Sequence, residues 1–130
     1  MMKLIKSCKG QAMVELALIL PVLLLLIFGI VEFSRVFSTQ LLITSSAREA
    51  AREAAVGASD ATIVLSAENS ASILDSSKMT VTISPDESTR IRGDSVTVRI
   101  AYPVKIYAPI ISSLIGDPYT VSSEIAMRVE

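Results

Sequence analysis

A carboxylate placed inside an apolar run is the most unusual chemical feature of this chain. Glu15 stands five residues after Gly10, which closes a basic leader carrying Lys3, Lys6 and Lys9, and sixteen residues without a charge, 16–31, follow it. A charge within a membrane is costly and marks a functional residue by default; near the inner interface the cost shrinks, because the side chain reaches the headgroups. Catalytic chemistry finds little elsewhere. The chain has no His, so a Ser nucleophile would need a Lys or an N-terminal amine as its base. Beyond the apolar run only Lys78 and Lys105 are available, and neither sits in a matching motif. Asp86, Glu87, Asp94 and Asp117 fall in turn-like sequence, where carboxylates are ordinarily solvated. Arg92-Gly93-Asp94 has the form of an integrin ligand, but Gly-Asp before an alternating strand is turn chemistry. One Cys and no His exclude zinc and an intrachain disulfide. The sequence predicts no cofactor, no metal and no enzymatic activity. A net charge of −1 also argues against a nucleic-acid partner.

The elements that position Glu15 begin with a long helix. Residues 12–31 would span roughly 30 Å, the thickness of a bilayer core. A soluble core helix this uniformly apolar would need a large globular host, and no small-residue cleavage site of a secretory signal follows the run. The leader lysines place the N-terminus in the cytoplasm, with the bulk of the chain extracytoplasmic. Cys8 precedes the apolar run, so it does not fit the acylated Cys of a lipoprotein signal and reads as an inert thiol. Pro21 lacks an amide hydrogen and crowds the carbonyl of Ala17, which predicts a kink or local melting.

Helix signals continue to about residue 56. Phe33, Val36, Phe37, Gln40, Leu41, Thr44, Ala47, Ala51 and Ala55 keep to one stripe, and Gly57 supplies a stop. Within residues 47–55, AREAAREAA, Arg48 and Arg52 form a basic stripe beside the acidic Glu49 and Glu53. These charges suit a solvated face, or a side-by-side contact between copies. Ala47, Ala51 and Ala55 would let another helix or sheet approach closely. A second helix follows from a cap at Ser59 or Asp60, with Ile63, Val64, Ala67, Ala71 and Leu74 on one side. The pattern then becomes period two at Met79, Val81 and Ile83, at Val96, Val98 and Ile100, and at Val121 through Val129. Tyr102-Pro103 should break or edge the second strand. Between strands two and three, Pro109 and Gly116 bound a short apolar helix whose Ile110, Ile111, Leu114 and Ile115 should be covered by sheet or stem, with a partner or the membrane surface as the alternative. The expected fold is α+β: leader 1–10, transmembrane helix 11–32, stem helix 33–57, and a small domain, 58–130, holding a second helix and a three-stranded antiparallel sheet. With only 73 residues and no disulfide, that domain should pack on the outer stem as one folding unit.

Taken together, GQAMVELALILPVLLLLIFGIVEFSRVF, SSAREAAREAA and, more loosely, RGDSVTVRIAYPV resemble the TadE-like minor pilins or pseudopilins of tight-adherence (Flp-type) pili, over nearly the whole chain. The resemblance implies cleavage between Gly10 and Gln11 by a prepilin peptidase, and a structural or priming role in pilus assembly. It implies that the new α-amine of Gln11 pairs with a neighbour's Glu15 when helices bundle. Leu16 stands where major subunits of such pili carry an aromatic, which points to a minor component. Cleavage would leave nine basic against thirteen acidic residues, a net charge of −4. The implied partners are the membrane, the peptidase, other pilins and the assembly machine, with no small-molecule substrate. The implied location is the bacterial inner membrane, with passage into an extracellular pilus. The second reading is a single-pass anchor bearing an extracytoplasmic binding or adhesive module outside any filament.

Overall fold

A computed structural model describes residues 8–130, with side chains from Gly10 onward. Lys3 and Lys6 therefore lie outside the described residues, as do the side chains of Cys8 and Lys9. Helix α1 (Cys8–Ala55) runs for 48 residues, about 72 Å at the usual rise. It stays α-helical through Pro21, so the chain does not melt there. Its end is a Schellman turn. Gly57, at φ 81°, donates to Ala54 O at 3.2 Å and Ala58 N to Glu53 O at 3.1 Å, satisfying carbonyls that the last turn leaves free. Ser59 then caps α2 (Asp60–Ser70), its hydroxyl accepting from Thr62 N.

Strands β1 (Thr80–Ser84), β2 (Ser95–Val104) and β3 (Tyr119–Arg128) form one antiparallel sheet in the order β1-β2-β3. A short helix, α3 (Pro109–Ile115), lies between β2 and β3. The α+β architecture is the one the change of period indicates. Strand β2 shows why: Val96, Val98 and Ile100 are buried while Ser95 and Arg99 are exposed. Pro103 does not break β2. Its partner on β3 is Thr120, and pairing with β1 stops at Thr80↔Ala101. At Pro103 the strand has β3 as a neighbour and no β1 residue opposite, so a missing amide hydrogen is tolerated there.

The outer half of α1 packs against α2 on one side and against β2 and β3 on the other. Ile43, Ala47, Ala50, Ala51 and Ala54 are fully buried, joined by Ile63 and Ala67 of α2 and the inward valines of the sheet. Ser46, also buried, donates its hydroxyl to Ala67 O at 2.6 Å, tying the two helices. The buried stripe keeps Val36, Ala47, Ala51 and Ala55 of the expected one and departs from it at the large residues. Phe33, Phe37 and Leu41 are exposed, and Glu32, Thr39, Ile43, Ala50 and Ala54 complete the inward line. Alanines and one Ile let α2 and the sheet close on the stem, whereas phenylalanines would hold them away.

The second correction concerns α3. Ile110, Leu114 and Ile115 are exposed, and only Ile111 turns inward, toward Gly29 of α1. Neither sheet nor stem covers this segment.

Candidate functional site

Every residue from Gly10 to Phe28 is exposed, and apart from the side of Pro21, Leu24, Leu25 and Phe28 that faces α3, this part of α1 is open to its surroundings. This stretch is long and apolar enough to cross a membrane. Beyond the first turn its backbone polar groups pair within the helix, as an apolar medium requires, except the Ala17 carbonyl, whose i+4 donor Pro21 removes. Gly10, Gln11 and Glu15 lie in the first turns, and a Cβ at Gly10 would meet open space. Gln11 and Glu15 are one turn apart, so the amine exposed by a cut after Gly10 would sit at the level of the carboxylate.

At the other end of the apolar run sits a carboxylate whose role the sequence did not reveal. Glu32 is only 6% exposed. Its Oε1 accepts from Tyr107 N at 2.9 Å and Ala108 N at 3.2 Å, and its Oε2 accepts from Arg35 Nη1 at 2.8 Å. Arg35 also donates to Lys105 O at 3.3 Å and lies 4.6 Å from the centre of the Tyr107 ring. Glu32 thus latches the loop that leads into α3 onto the rim of the span. Asp117, expected to be simply solvated, closes the same loop by accepting from Ile106 N at 3.0 Å. The signal for Glu32 in the sequence is its spacing of three from Arg35, the first two charges after the apolar run; its partners at 107 and 108 are too distant to infer.

A second latch sits at the far end of the stem. Arg90, with its side chain 4% exposed, bonds Ala58 O at 2.9 Å and pairs with Asp60. Asp60 and Glu87 exchange backbone-to-carboxylate bonds at 3.1 and 3.3 Å, so Glu87 is a tie between α2 and the β1–β2 loop as well as a solvated residue. Gly93, at φ 95°, turns the Arg92-Gly93-Asp94 segment, and Gly93 N donates to Val129 O at 2.8 Å, which makes the tripeptide part of a sheet-end turn. The Asp75 carboxyl is held below the usual carboxylate range, first by the Ser77 hydroxyl, then by the Ser77 amide, with Lys78 adding a smaller pull. That is again turn chemistry.

On the stem, Ala47, Ala51 and Ala55 are buried within the chain's own fold. Arg48 and Arg52 are exposed; Glu49 and Glu53 are half-buried beside Thr62, Leu65 and Ser66 of α2. Among the described residues none of these four charges forms an ion pair.

Residues 10–52 match the family described as TadE-like protein, about a third of the chain. The match is consistent with a TadE-like, pilin-related protein. It takes in Gly10, Glu15, Pro21, Glu32 and most of AREAAREAA; the strand containing RGDSVTVRIAYPV lies outside it. No curated protein and no solved structure matches the chain.

Proposed function

We propose that this TadE-like chain is a minor pilin or pseudopilin, a structural or priming component in the assembly of a tight-adherence pilus, with no catalytic role of its own. The observation that carries this reading is a coincidence of position. The TadE-like match, 10–52, takes in the whole stretch from Gly10 to Phe28 over which α1 is exposed and apolar, and continues into the stem. A helix of that kind is built to be surrounded by lipid or by other apolar helices.

In this mechanism a prepilin peptidase removes the leader after Gly10, on the cytoplasmic face of the inner membrane. The mature chain starts at Gln11 with a free amine beside the apolar run. When the helix leaves the bilayer and packs among other pilin helices, an unpaired Glu15 carboxylate would be strongly unfavourable. A neighbour's amine, one stagger along the bundle, neutralises it and fixes the axial register. The compact stem and sheet stay extracytoplasmic and shape the outer contacts.

Glu15→Leu tests the reading when insertion, processing and partner recovery are followed on the same variant. It should insert at least as well as the parent, since a polar group leaves the apolar run. It should still be cut after Gly10 and should lose co-purification with partner pilins. Normal partner recovery would remove the carboxylate from assembly.

A further inference from the structure

The exposed helix α3 sits beside the outer end of the apolar span, and its surroundings identify what covers it. Residues 106–116 carry no charge, while Lys105 and Asp117 stand at the two necks of the loop. Ile110 and Ile111 share a notch of about 500 Å³ with Pro21, Leu24, Leu25 and Phe28 of α1. The two polar side chains of α3 are satisfied internally: Ser112 Oγ donates to Pro109 O at 2.9 Å and Ser113 Oγ to Ile110 O at 2.8 Å. The Glu32 carboxylate takes up the amides of Tyr107 and Ala108 where the loop enters the helix. Both serine hydroxyls of α3 and the two amides ahead of it are thus paired within the protein, which lowers the cost of placing them in lipid.

The aromatic residues point the same way. The chain has three Phe and three Tyr. Five of the six, Phe28, Phe33, Phe37, Tyr107 and Tyr119, are exposed. On α1 they lie between residues 28 and 37, a band about 14 Å tall. Tyr107 stands beside Arg35, and Tyr119 borders a cleft with Gly29, Phe33 and Val36, which places both tyrosines in that band. Exposed aromatics gathered at one end of an apolar span, with a Lys at the neck, are the arrangement that suits a headgroup boundary.

We infer that α3 is a second membrane contact: it lies in the outer leaflet beside the span, with Ile110, Leu114 and Ile115 among the acyl chains and a lipid chain in the notch against Leu25 and Phe28. Helices with one face in the acyl boundary bind in proportion to the apolar area they bury. Latched to α1 through Glu32, α3 holds the stem and sheet at a set height and orientation over the bilayer. This inference rests on the membrane anchoring in the proposed function, and on no other part of it.

The chain contains no Trp, so single-Trp variants of the full-length protein report position directly. Leu114 is 79% exposed and Val56, at the outer end of the stem, is 64% exposed, so neither substitution disturbs packing. Leu114→Trp probes α3, Leu25→Trp the span, and Val56→Trp the distal surface, each reconstituted in vesicles of ordinary or acyl-brominated phosphatidylcholine. Leu25→Trp and Leu114→Trp should both show blue-shifted emission that brominated chains quench, and Val56→Trp should emit as in water, unquenched. If Leu25→Trp is quenched and Leu114→Trp is not, α3 is outside the lipid and the inference fails while the anchor stands. Blue-shifted but unquenched emission at Leu114→Trp would mean a protein surface covers α3, which also overturns it. Failure of quenching at Leu25→Trp would remove the anchor and the inference together.

Discussion

Replacing Glu32 with Ala removes one side chain and should free one loop. The carboxylate accepts two amide bonds, from Tyr107 and Ala108, and one from Arg35, and its side chain is 8% exposed, so solvent screens it little. Hydrogen bonds to a charged group contribute about 1.5–3 kcal/mol each. The freed amides lie near the surface and regain water once the loop lifts, so the two together should be worth about 3 kcal/mol, or roughly a hundredfold in local opening. The sheet does not depend on Glu32, because its ladder is closed by β2–β3 pairing from Ser95↔Arg128 to Val104↔Tyr119. Global melting should therefore move little. Amide hydrogen exchange on the full chain in micelles reads this directly: protection at Tyr107 and Ala108 should fall by about that factor, with β3 unchanged. Glu32→Gln keeps an acceptor oxygen but no charge and should fall between. Arg35→Ala leaves both amide bonds intact and should have the smallest effect. Unchanged exchange at Tyr107 and Ala108 in Glu32→Ala would refute the latch.

Two further outcomes follow from the packing. A fragment starting at Ser34 should melt in one cooperative transition, whereas one starting at Ala58 should be far less stable, since it loses the Ile43 to Ala54 face that its sheet covers; equal melting temperatures would separate stem from domain. Arg90→Ala strands Ala58 O and the partly exposed Asp60, so denaturant unfolding should show a loss of about 2–3 kcal/mol. A loss below about 0.5 kcal/mol would make that pair an ordinary surface contact.

Much of the fold was legible because its elements follow different periods. A twenty-residue apolar run, an alanine-rich stem and three alternating segments leave few arrangements open. The facing of the stem was harder. Phe33, Phe37 and Leu41 satisfy helical spacing as well as Val36, Ile43, Ala47 and Ala54 do, and periodicity cannot tell which of two adjacent stripes meets the sheet. The sheet's own valines decide it, because they need small partners at close range. The apolar content of α3 was equally ambiguous: four large aliphatics need a cover, and a sequence does not say whether protein or lipid provides it. Glu32 and Arg90 escaped for another reason. Neither stands in a motif, and each is held by groups on elements distant in sequence, which local spacing does not encode. Asp117 and Glu87 sit in turn-like sequence that suggests solvated carboxylates, although both make defined bonds to backbone amides.

The claim on which the account turns is that this helix is handled as a pilin helix, cut at its leader and then bundled through its new terminus. The most direct measurement is the N-terminal mass of the protein recovered from membranes of its native host. The expected species is a chain that has lost residues 1–10 and begins at Gln11, with a free α-amine one turn from Glu15. A chain that keeps Lys3, Lys6 and Lys9 ahead of an uncut Gly10 would contradict it, and would leave a membrane anchor that carries a folded domain and enters no filament.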